Sequence, residues 1–467
     1  MYRFLPIPPV TRRVIAAIVA AGGRPLVVGG AVRDTLMNLP ATDFDIEVYS
    51  LAPDALEAAL RAVGTVQLIG QVFGVFKVTP PGGTTLDVSL PRRENKIGAH
   101  HRDFRVEPDP AMTPQEAARR RDFTANSAAW DPQTAEILDF YGAKADITAG
   151  VLRMVDERAF AEDPLRVLRG VRFAARFGWQ IEERTALLCR QIADEYPALS
   201  IERVWTEWEQ WARGNQPGAG LRALAVTGWI RHYPELAALI DLPQDPTWHP
   251  EGDVLVHTGY VCDAMAALCV AEQATTHERL ALMFAALCHD LGKATTTVVN
   301  ETGRLVSPGH AESGTALAER FLTRIGAPVS LHERVPPLVA EHMALLNGPL
   351  TDRAIRRLAR RLGPARIIDL RRLIEADRQG RPPLPSQPLP QDVEARAAEL
   401  GCNSGPQPDI LLGRDLIGLG LTPGKRFGEI LRAAAEAQAE GDFTDHAGGM
   451  AWLAAFLNDD PAQRPSD

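Results

Sequence analysis

Cysteine is scarce here. Cys189, Cys262, Cys269, Cys288 and Cys402 are the five among 467 residues, scattered and odd in number. That excludes a disulfide frame and a cysteine-ligated metal site, and points to reduced core thiols in a cytoplasmic chain. Long apolar runs are missing too. No stretch approaches the roughly 20 residues of a membrane span, so no membrane partner is expected. The opening MYRFLPIPPVTRR is interrupted by prolines, so no basic-then-apolar leader is expected there. Positive charge is not in excess: 50 Lys and Arg against 59 Asp and Glu leave a formal charge of −9. This argues against wholesale wrapping by nucleic acid, although it leaves local phosphate contacts open. No internal repeat is visible.

What is there begins with an ordinary soluble composition, 45% hydrophobic and 23% charged, and length for about three domains. Arginines cluster at 119–121, 166–176 and 353–372. An arginine-rich helix face suits RNA phosphates and equally suits plain solvation, so charge alone decides nothing. The most informative stretch is LVVGGAVRD, residues 26–34, followed by DFDIEV, residues 43–48. Residues 25–28 read as a short buried strand, broken by Gly29 and Gly30 and followed by a helical run over 31–39. Glycines at such a turn let backbone approach a bulky anion, and the amides of the helix start point at it. Arg33 lies in that first turn, where a guanidinium can grip a phosphate with two hydrogen bonds.

Residues 43–48 alternate with period two, as a strand does. Phe44, Ile46 and Val48 then face a core, while Asp43, Asp45 and Glu47 line the other face. Carboxylates two apart on a strand are roughly 6–7 Å apart. That spacing suits a pair of Mg²⁺ ions about 3.5–4 Å apart, the device used in nucleotidyl and phosphoryl transfer. Each piece alone reads as well as an edge strand with a solvated acidic face; together, in this order, they favour the chemical reading. GGAVRD followed by DFD resembles the nucleotide- and metal-binding signature of the DNA polymerase β superfamily. More narrowly it is similar to the bacterial branch of tRNA nucleotidyltransferases (CCA-adding enzymes) and poly(A) polymerases.

Further along, 51–62 reads as an amphipathic helix, and 72–78 and 85–90 as strands. Asp87 sits in the second of these, either as a third acidic group beside Asp43 and Asp45 or as a solvent-facing residue. Residues 94–116, with His100, His101, Pro108, Pro110 and Pro114, show little periodicity and read as a long loop. The resemblance implies a flexible loop there that helps switch nucleotide choice. RRDFTANS, residues 120–127, resembles the family's RRDFTxNA motif, with Ser127 in place of Ala. There Arg120 and Arg121 would contact the triphosphate, while Asp122 and Asn126 brace the site.

EDPLRVLRGVR, residues 162–172, starts a helix with Asp163 as N-cap and Pro164 in the first turn. At 100° per residue Val167, Leu168, Val171, Ala174 and Ala175 share one face, and Arg166, Arg169, Arg172 and Arg176 the opposite one. The motif resembles the family's EDxxRxxR. There the Asp and first Arg, here Asp163 and Arg166, present hydrogen-bonding edges to the incoming base, so that protein acts as template. Arg169 and Arg172 would serve the base's surroundings. Residues 151–245 read as all-helical, with Trp205, Trp208 and Trp211 as a core stripe.

A second constellation lies at 246–380: His257, His289-Asp290-Leu291-Gly292-Lys293, His310, His342 and Asp377. Imidazoles and carboxylates gathered from neighbouring helices suit one or two divalent transition metals and a metal-bound water. The pattern resembles the HD phosphohydrolase superfamily. The resemblance implies His257, His289, Asp290 and Asp377 as first-metal ligands for Ni, Mn, Co or Fe, with His310 and His342 accessory. It also implies phosphatase and 2′,3′-cyclic phosphodiesterase activity on RNA ends. A proline-rich linker at 382–390 then leads to a helical tail.

The expected fold class is α+β. A polymerase-β-like head with a mixed sheet (1–150) precedes a helical neck that binds RNA (151–245), an HD domain (246–380), and a linker with helical tail (381–467). The expected function is addition of CMP and AMP to the tRNA 3′ end from CTP and ATP. Asp43 and Asp45 would hold Mg²⁺, with Asp87 a third catalytic carboxylate, and Gly29, Gly30, Arg33, Arg120 and Arg121 would bind the triphosphate. The rivals are a CC-only or A-only enzyme, a poly(A) polymerase, and chiefly a phosphohydrolase. Against poly(A) polymerase, the terminal residues are acidic where that branch carries a basic tail.

Overall fold

The computed structural model describes residues 7–41, 43–69, 74–96, 104–345, 350–385 and 392–458. The chain divides into two compact units, Met1–His232 and Tyr233–Asp467. The expected divisions at 150 and 380 fall within them.

The first unit opens with α1 (Pro9–Ala20), β1 (Arg24–Val28), α2 (Gly30–Leu36) and β2 (Asp45–Tyr49). Next come α3 (Pro53–Arg61), β3 (Thr65–Ile69), β4 (Val75–Thr79) and β5 (Leu86–Ser89). A ribbon of β6 (Arg92–Lys96) and β7 (Phe104–Pro108) follows, then α4 (Pro114–Arg119), β8 (Ala129–Asp131), β9 (Glu136–Leu138) and α5 (Ala143–Ala149). Seven strands form one sheet in the order β3-β4-β5-β2-β1-β8-β9. It is mixed: β2 and β5 run parallel, while β1 and β2 are antiparallel with Val28 opposite Asp45. Period-two burial makes this possible. Val27, Ile46, Val48, Phe76 and Val88 enter one core with Val14 and Ile18 of α1 and Leu56 and Leu60 of α3. Phe44, Ile46 and Val48 are buried as their alternation requires, and the strand starts at Asp45, with Asp43 just ahead of it.

The long loop expected over 94–116 is corrected: much of it is the β6–β7 ribbon and α4. RRENK carries no apolar alternation, so strand pairing left no trace in the sequence pattern. Helix α4 is started by a capping box in which Thr113 and Glu116 satisfy each other's backbone amides. His100 and His101 lie outside the described residues, as does the start of the expected 72–78 strand.

The region expected as the neck contains α6 (Glu157–Ala161), α7 (Leu165–Phe177), α8 (Glu183–Gln191), α9 (Ile201–Ala212) and α10 (Pro217–Val226). It is not wholly helical, because Val151–Leu152 pairs in parallel with Gln180–Ile181. Trp208 and Trp211 are core residues, and the Trp211 indole donates to the Pro217 carbonyl at 3.0 Å. The neck helices close so tightly that a Cβ on Gly220 would stand 2.6 Å from the Trp211 ring and 3.0 Å from the Ala175 Cβ.

Among its described residues, the second unit is helical apart from a short hairpin (Val298–Val299 with Leu305–Val306). Its helices are α11 (Pro234–Ala237), α12 (Val254–Ala271), α13 (Thr276–Cys288), α14 (Lys293–Thr296), α15 (His310–Arg324) and α16 (Val329–Glu341). They continue with α17 (Asp352–Leu362), α18 (Ile367–Gln379), α19 (Val393–Glu399), α20 (Gly413–Gly418), α21 (Lys425–Glu440) and α22 (His446–Asn458). The expectation of no membrane-length apolar run needs correction at α12, whose 18 residues are apolar enough by length and composition to cross one. Here α12 packs against α13 and α18, with Val254, Val261, Cys262 and Met265 buried. The tail helices share a small core of Leu411, Leu416, Ile430, Ala434, Phe443 and Leu453. All five cysteines are buried and unpaired.

Gly220→Ala overpacks the α7–α9–α10 junction and is expected to cost about 1–3 kcal/mol. Chemical denaturation measures it, as a lowered midpoint with unchanged slope.

Candidate active site and metal centre

Gly29 stands at the β1–α2 corner with φ +73°, a conformation that glycine adopts freely. A Cβ there would fall 3.3 Å from Arg121 Nη1 and 3.5 Å from Asp45 Oδ2, so space and backbone both ask for glycine. The Asp45 carboxylate therefore lies against the corner. Burial and the neighbouring Asp43 push its pKa up to about 6, with Arg121 opposing and Asp87 and Glu47 adding to the rise. Ile46 pairs with Val88, which sets Asp87 level with Asp45 on the adjacent strand; Lys77 faces it at 3.7 Å. Glu47 accepts a 2.5 Å hydrogen bond from the Tyr49 hydroxyl and faces Arg121 at 3.9 Å. These carboxylates converge on one floor. Hard oxygen donors crowded until one resists ionisation form a set that a divalent cation fits.

Opposite them is a basic wall, and floor and wall line one cleft of about 1030 Å³. Helix α7 supplies most of the wall. Its apolar stripe (Val167, Leu168, Val171, Ala174 and Ala175) is buried as the periodicity predicts. Its arginines are held by acids and by aromatic rings. Arg169 donates to Asp122 at 2.8 Å, Arg172 pairs with the buried Glu207 at 3.3 Å, and Arg176 pairs with Asp34 at 3.0 Å. Arg172 lies over the Phe173 ring at 4.5 Å and Arg176 over Phe177 at 4.7 Å. Asp122 is the hub: its oxygens accept from Arg169, from the Asn126 amide at 2.9 Å and from the Phe123 N–H at 2.8 Å. Burial alone would raise its pKa, but these donors outweigh burial and hold it below the usual carboxylate range.

Four residues expected from the sequence acquire specific partners in this geometry. Arg33 is buried at 4% exposure, with its guanidinium on Asp34 (2.9 and 2.6 Å) and Asn126 (2.7 Å) and over Phe173 and Phe177. It lines the cleft, and three of its five N–H donors are engaged by Asp34 and Asn126. Arg166 donates to the carbonyls of Ala159 (2.7 Å) and Arg120 (2.6 Å), which fixes its plane. Asp163 accepts from the Leu165 N–H at 3.3 Å and pairs with Arg203 at 2.9 Å, and α7 starts one residue later than expected. Arg120 donates to the Arg92 carbonyl, while Arg121 faces Glu47 and opposes the rise in the Asp45 pKa. Sequence reasoning missed Asp34, Glu207 and Arg203; a neutralising partner for each arginine of the stripe was the signal to look for.

In the second unit, His257, His289, Asp290, His310, His342 and Asp377 come together. His257 Nε2 lies 3.1 Å from Asp377 Oδ1 and 3.6 Å from Asp290 Oδ2; His289 Nε2 lies 3.2 Å from Asp290 Oδ2. His310 Nε2 is 3.5 Å from Asp290 Oδ1 and 3.1 Å from His342 Nε2. The atoms form two adjacent ligand groups, His257–His289–Asp377 and Asp290–His310–His342. His257 Nε2 and His289 Nε2 are buried with no acceptor in hydrogen-bond geometry, and Asp290 Oδ2 is buried among them. Orphaned imidazole nitrogens facing buried carboxylates are what a transition-metal centre satisfies, so the donor set fits. Lys293 Nζ, 2.7 Å from Asp290 Oδ2, adds a cation at its edge.

The profile of the poly A polymerase head domain matches residues 26–153, and that of the HD domain matches 254–381. A multifunctional CCA protein of Xanthomonas campestris pv. campestris is 37% identical over 430 residues, covering 88% of this chain and 98% of that protein. A multifunctional CCA protein of Xylella fastidiosa is 35% identical over 366 residues, 76% of this chain and 83% of that one. The fold is similar to that of the Bacillus stearothermophilus CCA-adding enzyme in complex with CTP, with TM-score 0.63 and 23% identity over 97% of this chain and 98% of that one. It is also similar to the Thermotoga maritima CCA-adding enzyme complexed with tRNA, with TM-score 0.57 and 19% identity over 97% and 96%. With its acidic floor, arginine wall and histidine centre accounted for, the chain belongs to the family of multifunctional CCA proteins and is a nucleotidyltransferase that carries an HD domain.

Proposed function

We propose that this chain adds CMP and AMP to the 3′ end of tRNA, from CTP and ATP, and releases pyrophosphate. The carrying observation is the Asp45 carboxylate, set against the Gly29 corner and facing Arg121, on the floor of a cleft walled by arginines. In the reaction the RNA 3′-oxygen bonds to the α-phosphorus, the bond from that phosphorus to pyrophosphate breaks, and the hydroxyl proton leaves. Asp43 and Asp45, beside Asp87, would hold Mg²⁺, which would supply Lewis acidity toward the attacking hydroxyl and the leaving pyrophosphate. Gly29 and Gly30 leave room for the triphosphate, and Arg121 and Arg120 bind it. Arg166, fixed by two carbonyls, offers donors to ring acceptors of the base. Asp163 accepts from the exocyclic amino group common to C and A, which requires it to share or release Arg203.

We divide the work among a head (1–150), a neck (151–245), an HD domain (246–380) and a tail (381–467). A second activity, hydrolysis of phosphates and 2′,3′-cyclic phosphates at RNA ends, is favoured by the orphaned ligand atoms of the histidine centre. A divalent Ni, Mn, Co or Fe ion there would be held by His257, His289, Asp290 and Asp377, with His310 and His342 beside them.

Transcripts ending at the discriminator base, at C or at CC, offered CTP or ATP alone, are expected to gain the residues that complete CCA. Addition of only C or only A would assign a narrower enzyme. Asp43→Asn is expected to abolish incorporation of labelled nucleotide; retained incorporation would sink the assignment. Asp290→Ala is expected to stop cyclic-phosphate hydrolysis and spare nucleotide addition. Because the Asp45 pKa is raised to about 6, its carboxylate takes up a proton as pH falls through that value, and the cation must displace it. The Mg²⁺ concentration for half-maximal rate should therefore rise about tenfold per pH unit below 6, the slope for competition with one proton. A flat dependence between pH 5 and 7 would contradict this.

A further inference from the structure

Each histidine of the metal centre presents Nε2 to it, and what holds the other nitrogen differs among them. His289 Nδ1 faces the Ala286 carbonyl at 2.8 Å, His310 Nδ1 that of Ser307 at 2.7 Å, and His342 Nδ1 that of Val339 at 2.6 Å. In all three the acceptor is the backbone carbonyl three residues earlier. This local device needs no other side chain, and it places the proton on Nδ1.

His257 breaks the pattern. It lies in the first turn of α12, and its Nδ1 reaches the carboxylate of Glu251, with Oε1 at 2.7 Å. The Gly380 carbonyl is a longer second acceptor at 3.2 Å. The Glu251 side chain is fully buried, in the segment ahead of α12, and its Oε1 also takes the Nδ1 of His249 at 2.9 Å. The His249 and His257 rings meet edge to face at 4.7 Å. His249, Glu251 and His257 could by distance form a ligand group of their own. The geometry excludes that while His257 serves the main centre, since a neutral imidazole that gives Nε2 to a metal carries its proton on Nδ1.

We infer that Glu251 is a positioning residue for the metal centre: its carboxylate fixes His257 with Nε2 free to ligate and makes that imidazole the strongest donor of the four, and His249 holds Glu251 in place. A carboxylate acceptor draws the Nδ1 proton more strongly than a carbonyl and so raises the basicity of the ligating nitrogen. Nothing in the centre touches Glu251 except through His257. This inference rests on reading the histidine cluster as a metal site, and its test separates the two.

The full-length chain, stripped with chelator, is titrated with Co²⁺ against a chromophoric competitor, and the visible d–d absorption is recorded. Glu251→Ala is expected to weaken Co²⁺ binding by about 10- to 100-fold, the usual effect of losing such a partner. It should also alter the absorption. Glu251→Gln keeps an acceptor oxygen without the charge and should recover part of the affinity. His249→Ala should fall between wild type and Glu251→Ala. Nucleotide addition to tRNA, measured in the same samples, should be unchanged and certifies that the variants are folded; if Glu251→Ala fails this check, Glu251→Gln and His249→Ala decide. Wild-type affinity and spectrum in the Glu251 variants, with binding lost in Asp290→Ala, would overturn the role of Glu251 alone. Undiminished binding in Asp290→Ala would overturn the metal reading itself.

Discussion

A chain of alternating charges fastens α7 to the head, and the active-site cleft depends on it. It runs from Arg169 to Asp122, to Asn126, to Arg33, to Asp34 and out to Arg176. Asp122, Asn126, Arg33 and Asp34 are buried. Removing one partner of a buried ion pair costs about 3–5 kcal/mol, because the other charge is left stranded away from water. The links therefore stand or fall together. Their common effect is geometric: the arginine stripe of α7, with Phe173 and Phe177 beneath it, is held at one distance from the carboxylates of β2 and β5. Replacement of the ion pairs by apolar residues would keep the neck packed, but would leave the cleft without its wall.

The electrostatics then separates two kinds of acid in one cleft. Asp122 is saturated by donors and held ionised; it is a structural anion. Asp45 has burial and three like charges against it, and Arg121 alone among the causes named lowers its pKa. A pair of acids pushed in opposite directions marks the division between scaffold and chemistry. The unsatisfied charge sits on the floor, where a cation brought in with a triphosphate would offset it. The histidine centre follows the same logic in another donor chemistry: buried atoms without partners, each imidazole turned the same way by an acceptor behind it.

Much of this was legible in the residues. Alternation at 43–48 placed three carboxylates on one face, and the 100° stripe of α7 separated its arginines from its core side. Both arrangements are local, so periodicity reports them. What stayed hidden depends on partners distant in sequence. Arg33 reads as a phosphate grip from its place in the turn, and its contacts with Asn126 and the two phenylalanines of α7 could not be read from there. The β6–β7 ribbon leaves no apolar pattern, because its first strand is wholly polar. Glu251 lies in an unpatterned segment, and only the fold reveals its contact with His257.

The central claim is that Asp43 and Asp45 jointly hold divalent cation against a bound triphosphate. Mn²⁺ binding followed by electron paramagnetic resonance tests it most directly, with a non-hydrolysable CTP analogue and in an Asp290→Ala background that removes the other centre. The account predicts a bound-Mn²⁺ signal that requires the nucleotide and disappears when Asp45→Asn is added. A nucleotide-dependent signal that survives Asp45→Asn unchanged would contradict it.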